Sequence, residues 1–236
     1  ILINCSSQFV NYGLAIIWRA ELQGAMMIFS MLAALAAAQP GLEPTSAGDQ
    51  VICDVRRFGA VADDQQLDTL AVQAAIDACG GRGGTVIVPT GDYLLGQIEL
   101  RSNMNLYLAP GAVLRASPDL ARFPAQRAIH DGGGHRPFIF GAGVENLGIS
   151  GLGTIDGSGP AYWGKEDQDR IRFGLIVQGC SNVKVRDIAI RDTPMFLMGI
   201  MDCDNVVVDG VTLTAPADSP NTDGLQVIDS HDVRIS

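Results

Sequence analysis

The sequence predicts an all-β fold, a right-handed, single-stranded parallel β-helix with a short N-terminal capping helix. Three observations predict it. From Arg101 onward, five segments open with Asn or Asp and continue with alternating apolar residues: Asn103–Leu108, Asn146–Ile149, Asn182–Val185, Asn205–Val208 and Asp232–Ile235. Their starts lie 43, 36, 23 and 27 residues apart, and no helical pattern intervenes. A single amphipathic helix precedes the series. Period-2 strands recurring at that interval are the mark of a solenoid in which each coil stacks on the last. The competing antiparallel β-sandwich calls for Asn-Gly and other two-residue hairpin signals, which are scarce.

The elements follow in order. Val51 to Val61 opens as a strand ending at Phe58-Gly59-Ala60. Asp68 or Thr69 is placed to cap a helix running to about Cys79. Val72, Ala75, Ile76 and Cys79 then form one apolar stripe at i, i+3, i+4 and i+7. Gly80-Gly81 and Gly83-Gly84 end that helix. Thr85–Pro89 is a short buried strand, followed by a turn at Thr90-Gly91-Asp92. In the repeats, Val183, Val206 and Val233 are expected to stack inward, as are Val185, Val208 and Ile235. The Asn positions stack at a turn, where their side chains bond adjacent coils. Cys180 and Cys203 precede Asn182 and Asn205 by the same two residues and are expected to stack as core thiols.

Composition bounds the function. The chain has 236 residues, 47% hydrophobic and 18% charged, enough to bury a large core. Its 28 glycines follow no collagen period and suit many tight turns. A net charge of −10 argues against nucleic acid or an anionic membrane surface as the main partner. The five cysteines include no CxxC or zinc-like spacing, so neither a metal nor another cofactor is expected. A Cys53–Cys79 bridge and two buried thiols both remain open.

Residue 1 is Ile, and residues 1–25 are expected to be an upstream or non-native segment. Residues 26–38 carry an apolar core and a small-residue tail, the pattern of a secretory signal peptide cleaved near Ala38. The apolar run is short for a membrane span. Residues 39–50 are expected as a linker and 51–236 as part of the β-helix domain. The mature protein is expected to be secreted or periplasmic, with no membrane association after signal removal, and monomeric.

The chemistry concentrates in Ser219-Pro220-Asn221-Thr222-Asp223-Gly224. Asp223 is the candidate catalytic carboxylate. Asn221, Thr222 and Gln226 are candidate substrate-binding residues, Gln226 because strand alternation from Gly224 puts it on the surface of Asp223. Asp218 is expected solvated and His231 exposed. His130 and His135 flank Gly132-Gly133-Gly134 in an expected surface loop.

Several motifs in order carry a family resemblance over residues 51–236. Asp54–Ala60, Gly83–Pro89 and Gly91-Asp92-Tyr93 look like the opening of pectin-degrading β-helix enzymes. Gly153–Gly159 with Trp163, then Ser219–Gly224, resemble the polygalacturonase-like glycoside hydrolases, family 28. In that context Asp156 is expected as a turn residue and Trp163 as a packing residue.

The resemblance implies metal-free hydrolysis, with inversion, of α-1,4-galacturonosyl links in pectin or related rhamnogalacturonan links. The partner is then a pectic polysaccharide, polygalacturonate or rhamnogalacturonan. It implies that Asp223 is one of two aspartates activating the attacking water and that Asn221 helps form the cleft. The family's later motifs, Gly-Asp-Asp, Gly-His-Gly and Arg-Ile-Lys, do not occur before Ser236. An inverting glycosidase needs two carboxyl groups about 6.5–9.5 Å apart, so the 236 residues as written are expected to have little or no hydrolase activity. The other readings are a non-catalytic polysaccharide-binding or structural β-helix, and a lyase or epimerase on the same scaffold.

Overall fold

A computed structural model describes residues 45–47, 50–126 and 136–236. The leader expected over 26–38, Cys5, His130 and His135 lie outside the described residues.

Among the described residues the strands form three sheets, and each successive coil adds one strand to each. The first sheet runs through Thr45–Ala47, Gln50–Asp54, Gly84–Val88, Met104–Leu108, Glu145–Gly151, Ser181–Arg186, Asp204–Asp209 and His231–Ile235. The second holds Gly91–Leu95, Ala112–Ala116, Thr154–Asp156, Ala189–Arg191 and Thr212–Thr214. The third holds Ile98–Glu99, Pro137–Ala142, Phe173–Gln178, Phe196–Met201 and Leu225–Ile228. Neighbouring coils pair in parallel throughout, which excludes the sandwich. The expected right-handed parallel β-helix is the fold.

The expected stacks form. Val183 pairs with Val206 and Val206 with Val233, while Val185, Val208 and Ile235 align two positions on. Upstream, Met104–Leu147–Val183 and Leu106–Ile149–Val185 continue the same two columns. All but the last rung are buried. Each fully buried aliphatic side chain contributes roughly 1.5–3 kcal/mol, so the columns dominate the cohesion between coils.

The corners explain the Asn and Asp spacing. Asn103, Asn146, Asn182, Asn205 and Asp232 all adopt the left-handed conformation, with φ between 51° and 55°. Asn tolerates that region better than most residues. Its amide also links coils: Asn146 donates to Asn103 at 2.8 Å, Asn182 to Asn146 at 3.1 Å and Asn205 to Asn182 at 2.8 Å. Three residues before Asn146, Asn182, Asn205 and Asp232, in the same connections, Gly143, Gly179, Asp202 and Asp229 are also left-handed.

Helix α1 (Thr69–Cys79) buries Val72, Ala75, Ile76 and Cys79, the expected stripe, over the N-terminal end of the core. Cys53 and Cys79 form a disulfide with an Sγ–Sγ distance of 2.12 Å, which ties the first coil to the end of that helix. Cys180 and Cys203 are free, buried and adjacent, with the Cys180 N–H donating to Cys203 Sγ at 3.4 Å.

Four local expectations are corrected. The strand opened by residue 51 ends at Asp54, whose carboxylate accepts the Arg56 N–H and starts a 3-10 turn over Val55–Phe58. Gly91 and Asp92 open a strand and do not form a free turn. Neither Asp68 nor Thr69 caps the helix through its side chain. Asp68 accepts the Val61 N–H at 2.8 Å, and Thr69 Oγ1 accepts the Gly96 N–H at 2.7 Å, so both fasten neighbouring segments. Part of the expected linker, Thr45–Ala47, is a strand that pairs antiparallel with the Gln50–Asp54 strand. Among the described residues, no helix is long and apolar enough to cross a membrane.

Candidate active site

Asp223 extends the third sheet by one rung. Its carbonyl accepts the Leu197 N–H and the carbonyl of Gly224 accepts the Met198 N–H, both at 3.0 Å. This sets Asp223 beside Phe196, and Phe196 beside Phe173 in the coil before. The side chain of Asp223 is exposed, so its carboxylate keeps access to water. Gln226, paired in register with Gly199, donates its Nε2 to Asp223 Oδ2 at 3.2 Å. The two residues expected to share a surface are therefore joined directly.

Asn221 and Thr222 are engaged within the protein. Asn221 is left-handed, with φ 56°, and its Nδ2 lies 3.5 Å from Asp167 Oδ1. Thr222 Oγ1 lies 2.6 Å from Ser219 Oγ, which in turn donates to the Pro216 carbonyl at 2.6 Å. Proline on either side of Ser219 and this hydroxyl chain give the loop its shape. Asp218 and His231 are exposed, as expected.

The outer face of the third sheet carries groups that sequence reasoning missed. The Phe173 and Phe196 rings lie 5.3 Å apart, and the Arg172 guanidinium sits 5.2 Å from the Phe196 centroid. Gly199 leaves room for Phe173, because a Cβ there would meet the ring at 2.9 Å. Phe140, Phe173, Ile176 and Met201 form an apolar cluster separate from the main core. A signal for the aromatic pair was present: Phe173 and Phe196 repeat at the same 23-residue interval as Cys180 and Cys203.

Trp163 and Asp156 both have positional roles. Trp163 Nε1 donates to the Thr193 carbonyl at 3.0 Å. Asp156 accepts the Ser158 N–H at 2.9 Å and pairs with Arg191 at 2.9 Å. Among the described residues, no group of three His, Cys, Asp or Glu side chains is arranged to hold a metal ion. What the surface offers is a water-accessible carboxylate held by an amide, beside an aromatic ring and a cation. Such groups suit a pyranose with apolar faces and polar substituents.

The family model described as glycosyl hydrolases family 28 matches residues 79–236. The chain belongs to that family. An exopolygalacturonase of Zea mays is 31% identical over 206 residues, covering 83% of this chain and 48% of the relative. A polygalacturonase of Malus domestica is 30% identical over 209 residues, covering 83% of this chain and 43% of the relative. The family 28 chain thus spans about half the length of the curated relatives it matches. Among solved structures, the family 28 exopolygalacturonase of Yersinia enterocolitica superposes with a TM-score of 0.71 at 25% identity, covering 81% of this chain and 43% of that one. The Erwinia carotovora polygalacturonase, at 22% identity and a TM-score of 0.66, shares the fold.

Proposed function

We propose that the protein carrying these residues hydrolyses α-1,4-galacturonosyl links in pectin, or related rhamnogalacturonan links, by an inverting, metal-free, aspartate-based reaction. The observation that carries this reading is the Asp223 carboxylate, presented to water on the outer face of the third sheet and held there by Gln226. The similarity to polygalacturonases supports the substrate class.

In this reading Asp223 accepts a proton from the attacking water as the water adds to the anomeric carbon. A second, protonated carboxyl donates to the departing glycosidic oxygen on the opposite side of the sugar. The separation of the two carboxyls, about 6.5–9.5 Å, accommodates the water and dictates inversion. Gln226 fixes the rotamer of Asp223, which raises the fraction of encounters with the correct geometry. The partner is a pectic polysaccharide, and the site of action is outside the cytoplasm, in keeping with the leader expected over residues 26–38.

The test is reducing-sugar release from polygalacturonate by the protein that carries these residues, with the anomer of the first-formed product followed by NMR. Turnover with inversion, lost in Asp223→Asn while the fold persists, is the expected result. Turnover that survives Asp223→Asn, or a product absorbing in the ultraviolet as an unsaturated uronide does, would overturn the assignment.

A further inference from the structure

The connections between the second and third sheets share one corner of the solenoid but differ in length. Residues 157–172 and 215–224 form long excursions, and residues 192–195 between them form a short one. The long pair meets across the short one. Arg170, whose side chain is 5% exposed, donates to the Pro194 carbonyl at 3.3 Å and pairs with Asp167. The Oδ1 of Asp167 that faces Arg170 also accepts from Asn221 Nδ2 at 3.5 Å. Trp163 adds a second anchor on the short connection through the Thr193 carbonyl.

We propose that Asp167 is a positioning residue for Asp223, acting through Asn221. The inference rests on the hydrolase reading above. A buried guanidinium cannot move without losing its partners, so Arg170 fixes where Asp167 stands. Asp167 then offers a fixed acceptor to the left-handed residue two positions before Asp223. Asn221 stands in the left-handed region, which few residues other than Gly, Asn and Asp adopt readily, and the Asp167 contact holds it there. Residues 54 apart in sequence are thereby coupled at the point where the loop enters the catalytic rung.

The experiment compares Asp167→Ala, Asn221→Ala, their double variant and Asp167→Asn. A misplaced carboxylate lowers kcat about 10- to 100-fold. The expected result is that loss in both single variants with KM within about twofold, no further loss in the double variant, and recovery in Asp167→Asn, which keeps an oxygen for Asn221 and for Arg170. Effects that multiply in the double variant, or that fall on KM alone, would overturn it. Removing Asp167 leaves a buried cation unpaired, so Asn221→Ala carries the test if Asp167→Ala fails to fold. A readout without substrate separates this inference from the hydrolase assignment. In the 236-residue chain, amide exchange at Ser219 and Leu197, whose N–H groups bond the Pro216 and Asp223 carbonyls, is expected to quicken about tenfold in Asn221→Ala. Unchanged exchange there counts against the fastener even if the wild type hydrolyses pectin. Quickened exchange in a protein that does not hydrolyse pectin supports the fastener and removes the hydrolase reading alone.

Discussion

Gln226 Nε2 and Asp223 Oδ2 are 3.2 Å apart, three residues from each other on one exposed surface. The amide is held by the strand ladder through Gly199, while the carboxylate sits at the loop end of the same strand. The strand-held amide therefore orients the carboxylate that precedes the strand. Gln226→Ala is expected to lower kcat/KM for polygalacturonate about 5- to 50-fold with the melting temperature unchanged, whereas Gln226→Glu, which places like charges together, is expected to lose more. Steady-state kinetics with a melting control checks both.

The Asn ladder makes a prediction about backbone conformation. Asn182 is left-handed and bonds Asn146 on one side and Asn205 on the other. Asn182→Ala loses both bonds and the short polar side chain that makes the left-handed region tolerable, a cost of about 2–4 kcal/mol. Asn182→Gly keeps the conformation at ease and loses only the bonds. Denaturant midpoints are expected to rank wild type above Asn182→Gly above Asn182→Ala.

The Cys53–Cys79 disulfide closes a separation of 26 residues and joins the capping helix to the first coil. Replacing both cysteines by alanine is expected to cost about 3 kcal/mol and to lower the melting temperature by roughly 10 °C. The loss is expected to appear first as fraying of α1, read by amide exchange at its buried positions.

Asp68 gives a pH dependence. Burial pushes its carboxyl above the ordinary value of 3.8, the Val61 N–H opposes that rise, and the charge of Asp64 adds to it. The folded state then holds the proton more tightly than the unfolded chain. The stability this contributes is complete below the unfolded value and is lost as pH rises through the folded value. Asp68→Asn keeps an acceptor for Val61 and never ionises. Its melting temperature is expected to match wild type near pH 3 and to exceed it near pH 7.

The first sheet was legible because one face of each strand is buried and the other is not: Asn182–Val185 alternates in sequence as well as in burial, and Asn205–Val208, with three consecutive valines, repeats its opening Asn and its buried positions. The third sheet was not. Phe173–Gln178 is buried at every position, and a uniformly apolar run of that length carries no period from which to read a strand. The contact of Asp223 with Gln226 was legible because the two lie three residues apart, at the junction of the Ser219–Gly224 motif and the Leu225–Ile228 strand. Asp167 and Arg170 were not, since their link to Asn221 depends on two connections of unequal length meeting over a third. The disulfide stayed open in the sequence because a thiol in an apolar helix stripe and a half-cystine occupy the same kind of position. Asp68 and Thr69 carry the right chemistry for capping, but tertiary acceptance of the Val61 and Gly96 amides won.

The corner ladder has a consequence for how such a protein can change over generations. Asn146 and Asn182 each bond the Asn before and the Asn after. A tandem duplication spanning 182–204 would present the same word at both of its seams and enter the solenoid in frame. The solenoid would lengthen by one coil, roughly 4.8 Å, with helix α1 and its disulfide untouched. The connections between the second and third sheets already differ in length from coil to coil, as 157–172, 192–195 and 215–224 show. Scaffold and reach can thus be inherited separately, one by copying coils and the other by editing loops.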